Sequence, residues 1–229
     1  FENEDYPVIV TELAANGSLE HVIDLESKGL SIEGWDETKK LITIFGIASG
    51  MSFLHSNGIL HRDLKLENIL IDERLFPKIS DFGLSKIKKD DGFASSTQSI
   101  ANLKGTPSYL APEIIEDYSY TKAGDVYSFG IIVFEILTTE RAFSDLTFIQ
   151  LLNAVVRGER PTIDKTVPEV YRQLIERCWS QEPEKRPTFD QIVDELQHGE
   201  FISPMIDNDS YQEYIEYVKE FKTKYEKDR

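Results

Sequence analysis

The sequence predicts an α+β fold, mainly helical, with short strands expected at 8–10, 69–71 and 77–79. Three observations predict it. Apolar residues recur at helical spacing from Leu41 to Leu54, two three-residue strand-like runs flank a polar turn between Ile69 and Ile79, and FGIIVFEIL at 129–137 is apolar nearly all round.

Taken in order, Val8-Ile9-Val10 behind Pro7 is a β-branched run that reads as a buried strand, and AANGS at 14–18 reads as a turn after it. Asp36 is placed to cap a helix carrying Leu41, Ile44, Phe45, Ala48, Met51 and Leu54 on its apolar side, and Asn57-Gly58 stops it. The polar loop HRDLKLEN follows at 61–68. Ile69-Leu70-Ile71 and Pro77-Lys78-Ile79 then form a hairpin that sets the end of that loop beside Asp81. From Ile87 to Thr106 the chain is polar, small and without period, which predicts mobility. Helices are predicted at Asp125–Leu137 (central and buried), Val170–Trp179 and Phe189–Gln197 (amphipathic). In the tail, Ser210 with Glu213 fits a capping box, and Tyr211, Tyr214, Ile215, Val218, Phe221 and Tyr225 follow at helical intervals, as for a helix docked on the domain.

A chain of 229 residues can bury one good core and carry an appendage. Its 25 Lys and Arg against 41 Asp and Glu give a net charge of −16, which repels phosphate backbones and anionic lipid surfaces and excludes nucleic acid as the expected partner. The lone Cys178 cannot close an intramolecular disulfide, which suits a reducing, cytoplasmic setting. The apolar run at 129–137 contains Glu135 and falls far short of the roughly 20 residues of a membrane span. No span is expected.

The loop at 61–68 carries the chemistry. Phosphoryl transfer needs hard oxygen ligands for a divalent metal, a carboxylate to orient the attacking hydroxyl, and a cation on the transferred group. Asp63 can be the carboxylate, Lys65 the cation, and Asn68 and Asp81 the metal ligands. A metal-dependent phosphohydrolase built on Asp63 and Asp81 needs further ligands, and His21, His55, His61 and His198 include no ligand-spaced pair.

HRDLKLEN at 61–68, DFG at 81–83 and APE at 111–113 stand in the order that resembles the signature set of the eukaryotic protein kinases. The resemblance covers nearly the whole chain except the tail. HRDLKxxN and GTPSYLAPE at 105–113 are similar to the serine/threonine members, and DVYSFG at 125–130 with RCWSQEPEKRPTF at 177–189 resembles the tyrosine-kinase-like group among them. It implies a protein kinase-like fold with three parts: a small-lobe remnant and hinge at 1–16, a helical C-terminal lobe at 17–199, with its activation segment at 81–113, and a helical tail at 200–229.

The activity implied is transfer of the γ-phosphoryl of ATP, with Mg2+, to serine or threonine hydroxyls of a protein substrate. The resemblance places Asp63 as base, Lys65 on the γ-phosphate, Asn68 and Asp81 on magnesium, and Thr106 bridging Asp63 and Lys65. Thr11 is then the gatekeeper, Glu12 and Ala14 meet the adenine edge through their backbone, and Leu70 is the apolar floor. His61, Phe82 and Gly83 belong to the conserved motifs of the family. Asp125 is expected to accept from the catalytic-loop backbone, and Arg186 to pair with Glu113. Arg62 receives a phosphate placed on Ser95, Ser96, Thr97 or Ser99 by an upstream kinase or by autophosphorylation. Glu67 reads as a solvated glutamate.

No GxGxxG occurs among the thirteen glycines, and no VAIK-type lysine precedes the hinge. With Phe rather than Met at position 1, the favoured expectation is a large lobe whose small lobe lies upstream, so that these residues alone are nearly inactive. Two others stand beside it: a truncated, inactive scaffold, and a small lobe supplied by another chain.

Overall fold

The computed structural model describes residues 11–81, 86–87, 106–198 and 201–227. The expected strand at Val8–Val10, Phe82 and Gly83, the stretch from Lys88 to Gly105, and Ser95, Ser96, Thr97 and Ser99 lie outside the described residues.

Helix α1 (Leu19–Ser27) opens on Ser18, whose hydroxyl accepts from the His21 amide at 3.3 Å, and it buries Leu19, Val22 and Ile23. From the sequence a turn is expected at 14–18, but no element for these residues. Helix α2 (Glu37–Ser56) starts where Asp36 Oδ1 accepts from the Lys39 amide at 2.9 Å, and it ends at Asn57. Its apolar residues are buried on every side, not along one stripe: Leu41, Ile42, Ile44, Phe45, Ile47 and Ala48 are all closed off from water. Burying a side chain of that size contributes about 1.5–3 kcal/mol, so α2 is the axis of the core.

Strand β1 (Ile59–Leu60) pairs antiparallel with β4 (Lys86–Ile87), and β2 (Ile69–Ile71) with β3 (Pro77–Ile79), in the register Ile69 to Ile79 and Ile71 to Pro77. Asp72 Oδ1 accepts from the amides of Arg74 and Phe76, both at 2.9 Å, and holds the hairpin turn. The chain entering α1 is tied to the hairpin, since the Asn16 amide donates to the Ile71 carbonyl and the Ile71 amide to that of Gly17.

Helices α3 (Pro112–Asp117), α4 (Lys122–Thr138), α5 (Phe148–Val156), α6 (Glu169–Cys178), α7 (Phe189–Gln197) and α8 (Asn208–Lys227) complete the fold. α4 is buried along most of its length, from Gly124 to Ile136. It begins three residues ahead of the expected start, at Lys122 after Thr121, so that Asp125 lies inside its first turn. The tail helix also begins earlier than expected: Asp207 Oδ1 accepts from the amides of Asp209 and Ser210, so Asp207 caps it and Ser210 is already helical.

Candidate active site

Residues 61–68 are shaped from below by α4. Asp125 Oδ2 accepts from the His61 amide at 3.0 Å and Oδ1 from the Arg62 amide at 2.9 Å. His55 Nε2, from the end of α2, donates to the same carboxylate at 2.8 Å. Those bonds hold Arg62 at φ +70°, a left-handed conformation that a non-glycine residue reaches at a cost of about 1–2 kcal/mol. The turn it makes carries Asp63 out of the core.

His61 is fully buried and its Nε2 donates to the Ser80 carbonyl at 3.0 Å. The amide and hydroxyl of Ser80 both donate to the Asn68 carbonyl, at 2.8 and 3.0 Å. Ser80 thereby joins the two ends of the β2–β3 hairpin, and Asp81 follows at φ +59°, exposed.

Asp63, Lys65, Asn68 and Thr106 form one connected group. Lys65 Nζ stands 3.1 Å from Asp63 Oδ2 and donates to Thr106 Oγ1 at 2.8 Å. The Thr106 amide donates to Asp63 Oδ1 at 3.1 Å. Asn68 Nδ2 donates to the Asp63 carbonyl at 2.8 Å and to its Oδ2 at 3.1 Å. A carboxylate held by donors from three residues has a fixed direction, and because Nδ2 of Asn68 is turned toward Asp63, its Oδ1 is on the far side of the amide.

Arg186, with a fully buried guanidinium, grips both oxygens of Glu113 at 2.7 and 2.8 Å and also donates to the carbonyls of Ala123 and Ser180. The pair fastens the start of α3 to the loop before α7. Arg62 lies over the Tyr120 ring at 5.4 Å from its centroid, and its Nε is buried with no hydrogen-bond partner among the described residues.

Toward the N-terminus, Thr11 and Glu12 are exposed, Ala14 is half-buried, and Glu12 pairs with Lys78 at 2.9 Å. Leu70 is half-buried and bridges Ser18. No contact between these four and the Asp63 group is seen among the described residues; Glu12, through Lys78, and Leu70 belong to the hairpin's surroundings.

Sequence reasoning missed His55, Ser80 and the pair formed by Tyr109 and Glu135. The Tyr109 hydroxyl donates to Glu135 Oε2 at 2.5 Å, and the Ala142 amide to Oε1 at 3.0 Å. Burial raises the Glu135 carboxyl above its ordinary range, although those donors and Arg141 pull it back. Burial first and Glu135 second push the Tyr109 phenol well up. A charge inside an otherwise apolar run was the one available signal for Glu135.

The family model for protein tyrosine and serine/threonine kinases matches residues 1–196. The chain belongs to the protein kinase family. Among its relatives are the RGS domain-containing serine/threonine-protein kinase A of Dictyostelium discoideum, 37% identical over 199 residues, and two kinases of Arabidopsis thaliana. Those are serine/threonine-protein kinase CTR1, 37% identical over 191 residues, and serine/threonine-protein kinase STY46, 37% identical over 194. The matches cover 87%, 82% and 82% of this kinase chain but only 16%, 22% and 31% of the relatives. Among the described residues of the kinase no helix is long and apolar enough to cross a membrane.

Proposed function

We propose that this chain carries the catalytic face of an ATP-dependent serine/threonine kinase of the tyrosine-kinase-like group. The observation that carries the reading is the Asp63–Lys65–Thr106 triangle with Asn68 closed against it. Asp63 orients and deprotonates the acceptor hydroxyl of a protein substrate. Lys65, held by Thr106, places its charge on the γ-phosphoryl. That lysine–threonine contact supports serine and threonine as acceptors.

The oxygens of Asn68 and Asp81 suit magnesium in kind, being hard donors at the two joined ends of the hairpin. Bound there, the ion neutralises charge on the transferred phosphate. Adenine lies against Leu70, with Thr11 as gatekeeper and the backbone of Glu12 and Ala14 at its edge. Arg62, whose Nε is buried with no partner among the described residues, suits a phosphate on Ser95, Ser96, Thr97 or Ser99, added by an upstream kinase or by autophosphorylation. A reducing cytoplasm suits the buried Cys178. Residues 1–16 are then hinge and small-lobe remnant, 17–199 the helical lobe and 200–229 its tail.

The nucleotide's phosphates also need a glycine-rich loop and a lysine from the opposite side, and these 229 residues contain no GxGxxG. The test therefore uses the protein isolated from its source, with its intact mass measured on the same preparation. Asp63→Asn is expected to abolish phosphate transfer from ATP to a seryl or threonyl peptide while leaving the unfolding midpoint in place. Undiminished transfer overturns Asp63 as the base, and no transfer even in the unaltered protein favours a non-catalytic interaction module.

A further inference from the structure

The family match ends at residue 196, yet α8, which lies beyond it, is built into the domain. Tyr211, Tyr214 and Ile215 are closed off from water, the Tyr211 hydroxyl donates to the Leu196 carbonyl at 2.9 Å, and the Asp207 amide donates to Thr38 Oγ1 at 2.9 Å. A dangling tail does not bury its aromatic face.

Where α8 lands matters more than that it lands. Phe76, at the closed end of the β2–β3 hairpin, meets the Tyr214 ring at 4.5 Å between centroids and the Tyr217 ring at 5.6 Å. From α2, Lys39 Nζ sits 4.9 Å from the same Phe76 ring and donates to the Arg74 carbonyl at 2.9 Å. Gly46 marks the point where three elements converge: a Cβ built there would stand 2.4 Å from the Tyr214 hydroxyl and 2.5 Å from Pro77 Cγ. One turn on, a Cβ at Gly50 would stand 2.7 Å from Ile79 Cδ1. Helix α2 thus presents a bare strip on which the hairpin and α8 close together.

The hairpin's other end is the junction of Asn68 with Ser80, the residue before Asp81. A three-residue ladder is too short to be rigid by itself. Its geometry is decided by what clamps its ends.

We propose that α8 is a brace for the metal-holding end of the site, with Tyr214 as a positioning residue that acts through Phe76 and the hairpin on the spacing of Asn68 and Asp81. This rests on the reading of Asn68 and Asp81 as magnesium ligands. Tyr217, half-exposed against the same Phe76 ring, contributes a smaller share. Loss of the brace leaves the core formed by α2, α4, α6 and α7 in place and loosens the hairpin.

The test is hydrogen exchange on the full chain, comparing the unaltered protein with Tyr214→Ala, Tyr214→Phe and Tyr217→Ala. Tyr214→Ala is expected to speed exchange across residues 68–81 by about tenfold relative to α6 and α7, Tyr217→Ala by less, and Tyr214→Phe to stay near the unaltered protein because the ring is kept. Faster exchange confined to 201–227, or an equal rise through every helix, overturns the brace. Should Tyr214→Ala fail to fold, Tyr217→Ala carries the same comparison.

Binding of Mn2+ in the presence of ATP, read by electron paramagnetic resonance, then isolates positioning from packing. Weaker Mn2+ binding in Tyr214→Ala, restored in Tyr214→Phe, supports the positioning role. Unchanged binding with a loosened hairpin overturns that role. Failure of the unaltered protein, isolated from its source, to bind Mn2+ overturns the magnesium reading, and the exchange result still decides the brace.

Discussion

Asp125 and Glu135 lie on one helix, both buried, and the fold uses them differently. Asp125 is matched by three donors, two of them backbone amides of the turn that carries Asp63. Glu135 is matched by a phenol and one amide from segments that flank α4, with Arg141 more distant at 3.9 Å. The first carboxylate dictates a backbone conformation; the second fastens side elements and keeps a titration shifted by its burial. Burial alone therefore does not tell which acid a site depends on. The identity of its donors does.

Breaking the first member should have the largest effect. Asp125→Ala leaves the His61 and Arg62 amides and the His55 ring without their acceptor, in a buried setting where an orphaned polar group costs about 1–3 kcal/mol. The expected loss is about 4 kcal/mol, on the scale of breaking a buried charged network, read from urea unfolding, together with loss of phosphate transfer. Arg186→Met comes next. It removes hydrogen bonds to five acceptor oxygens and leaves the largely buried Glu113 without its cation, for an expected loss of about 3 kcal/mol by the same measurement.

Glu135 sharpens the contrast through pH. Its carboxyl is raised above 4.5 in the folded protein, so the folded state holds this proton more tightly than the unfolded chain does. Its contribution to stability is full below 4.5 and declines as the pH rises through the folded value. Glu135→Gln cannot titrate, so its stability should fall less than that of the unaltered protein between acid and neutral pH. Parallel curves for the two proteins would show that Glu135 does not titrate differently on folding.

The same contrast explains what could be read from the sequence. Helix α2 was legible because its cap and stop, Asp36 and Asn57-Gly58, are local signals, and the β2–β3 hairpin because its two runs flank one polar turn. Helix α1 was not, although Ser18 with Leu19, Val22 and Ile23 offered a cap and an apolar face within nine residues. The Thr147–Gln150 capping box of α5 was likewise overlooked. At the tail, Ser210 with Glu213 imitated a start while Asp207, three residues earlier, accepted the amides. The resemblance named the motif residues and expected contacts for Asp125, Thr106 and Arg186, but the wiring through His55 and Ser80 could not be read. Asp125 meets His55 across 70 positions and Asn68 meets Ser80 across 12, and nothing in either neighbourhood announces the partner.

The smallest effect comes from a second arginine–carboxylate pair with the same two-pronged form. Arg177 on α6 reaches both oxygens of Glu195 on α7, one of them at 2.8 Å, as Arg186 does for Glu113. Geometry alone would make the two pairs equal. Solvent separates them: the side chains of Arg177 and Glu195 keep 44% and 35% of their exposure, against 0% and 13% for Arg186 and Glu113. Water and salt screen the exposed pair, and its removal strands no buried charge. Arg177→Met is therefore expected to cost about 0.5 kcal/mol or less, and the difference should vanish when unfolding is repeated in high salt. A cost near that of Arg186→Met would mean that the two-pronged geometry, and not burial, sets what such a pair contributes in this fold.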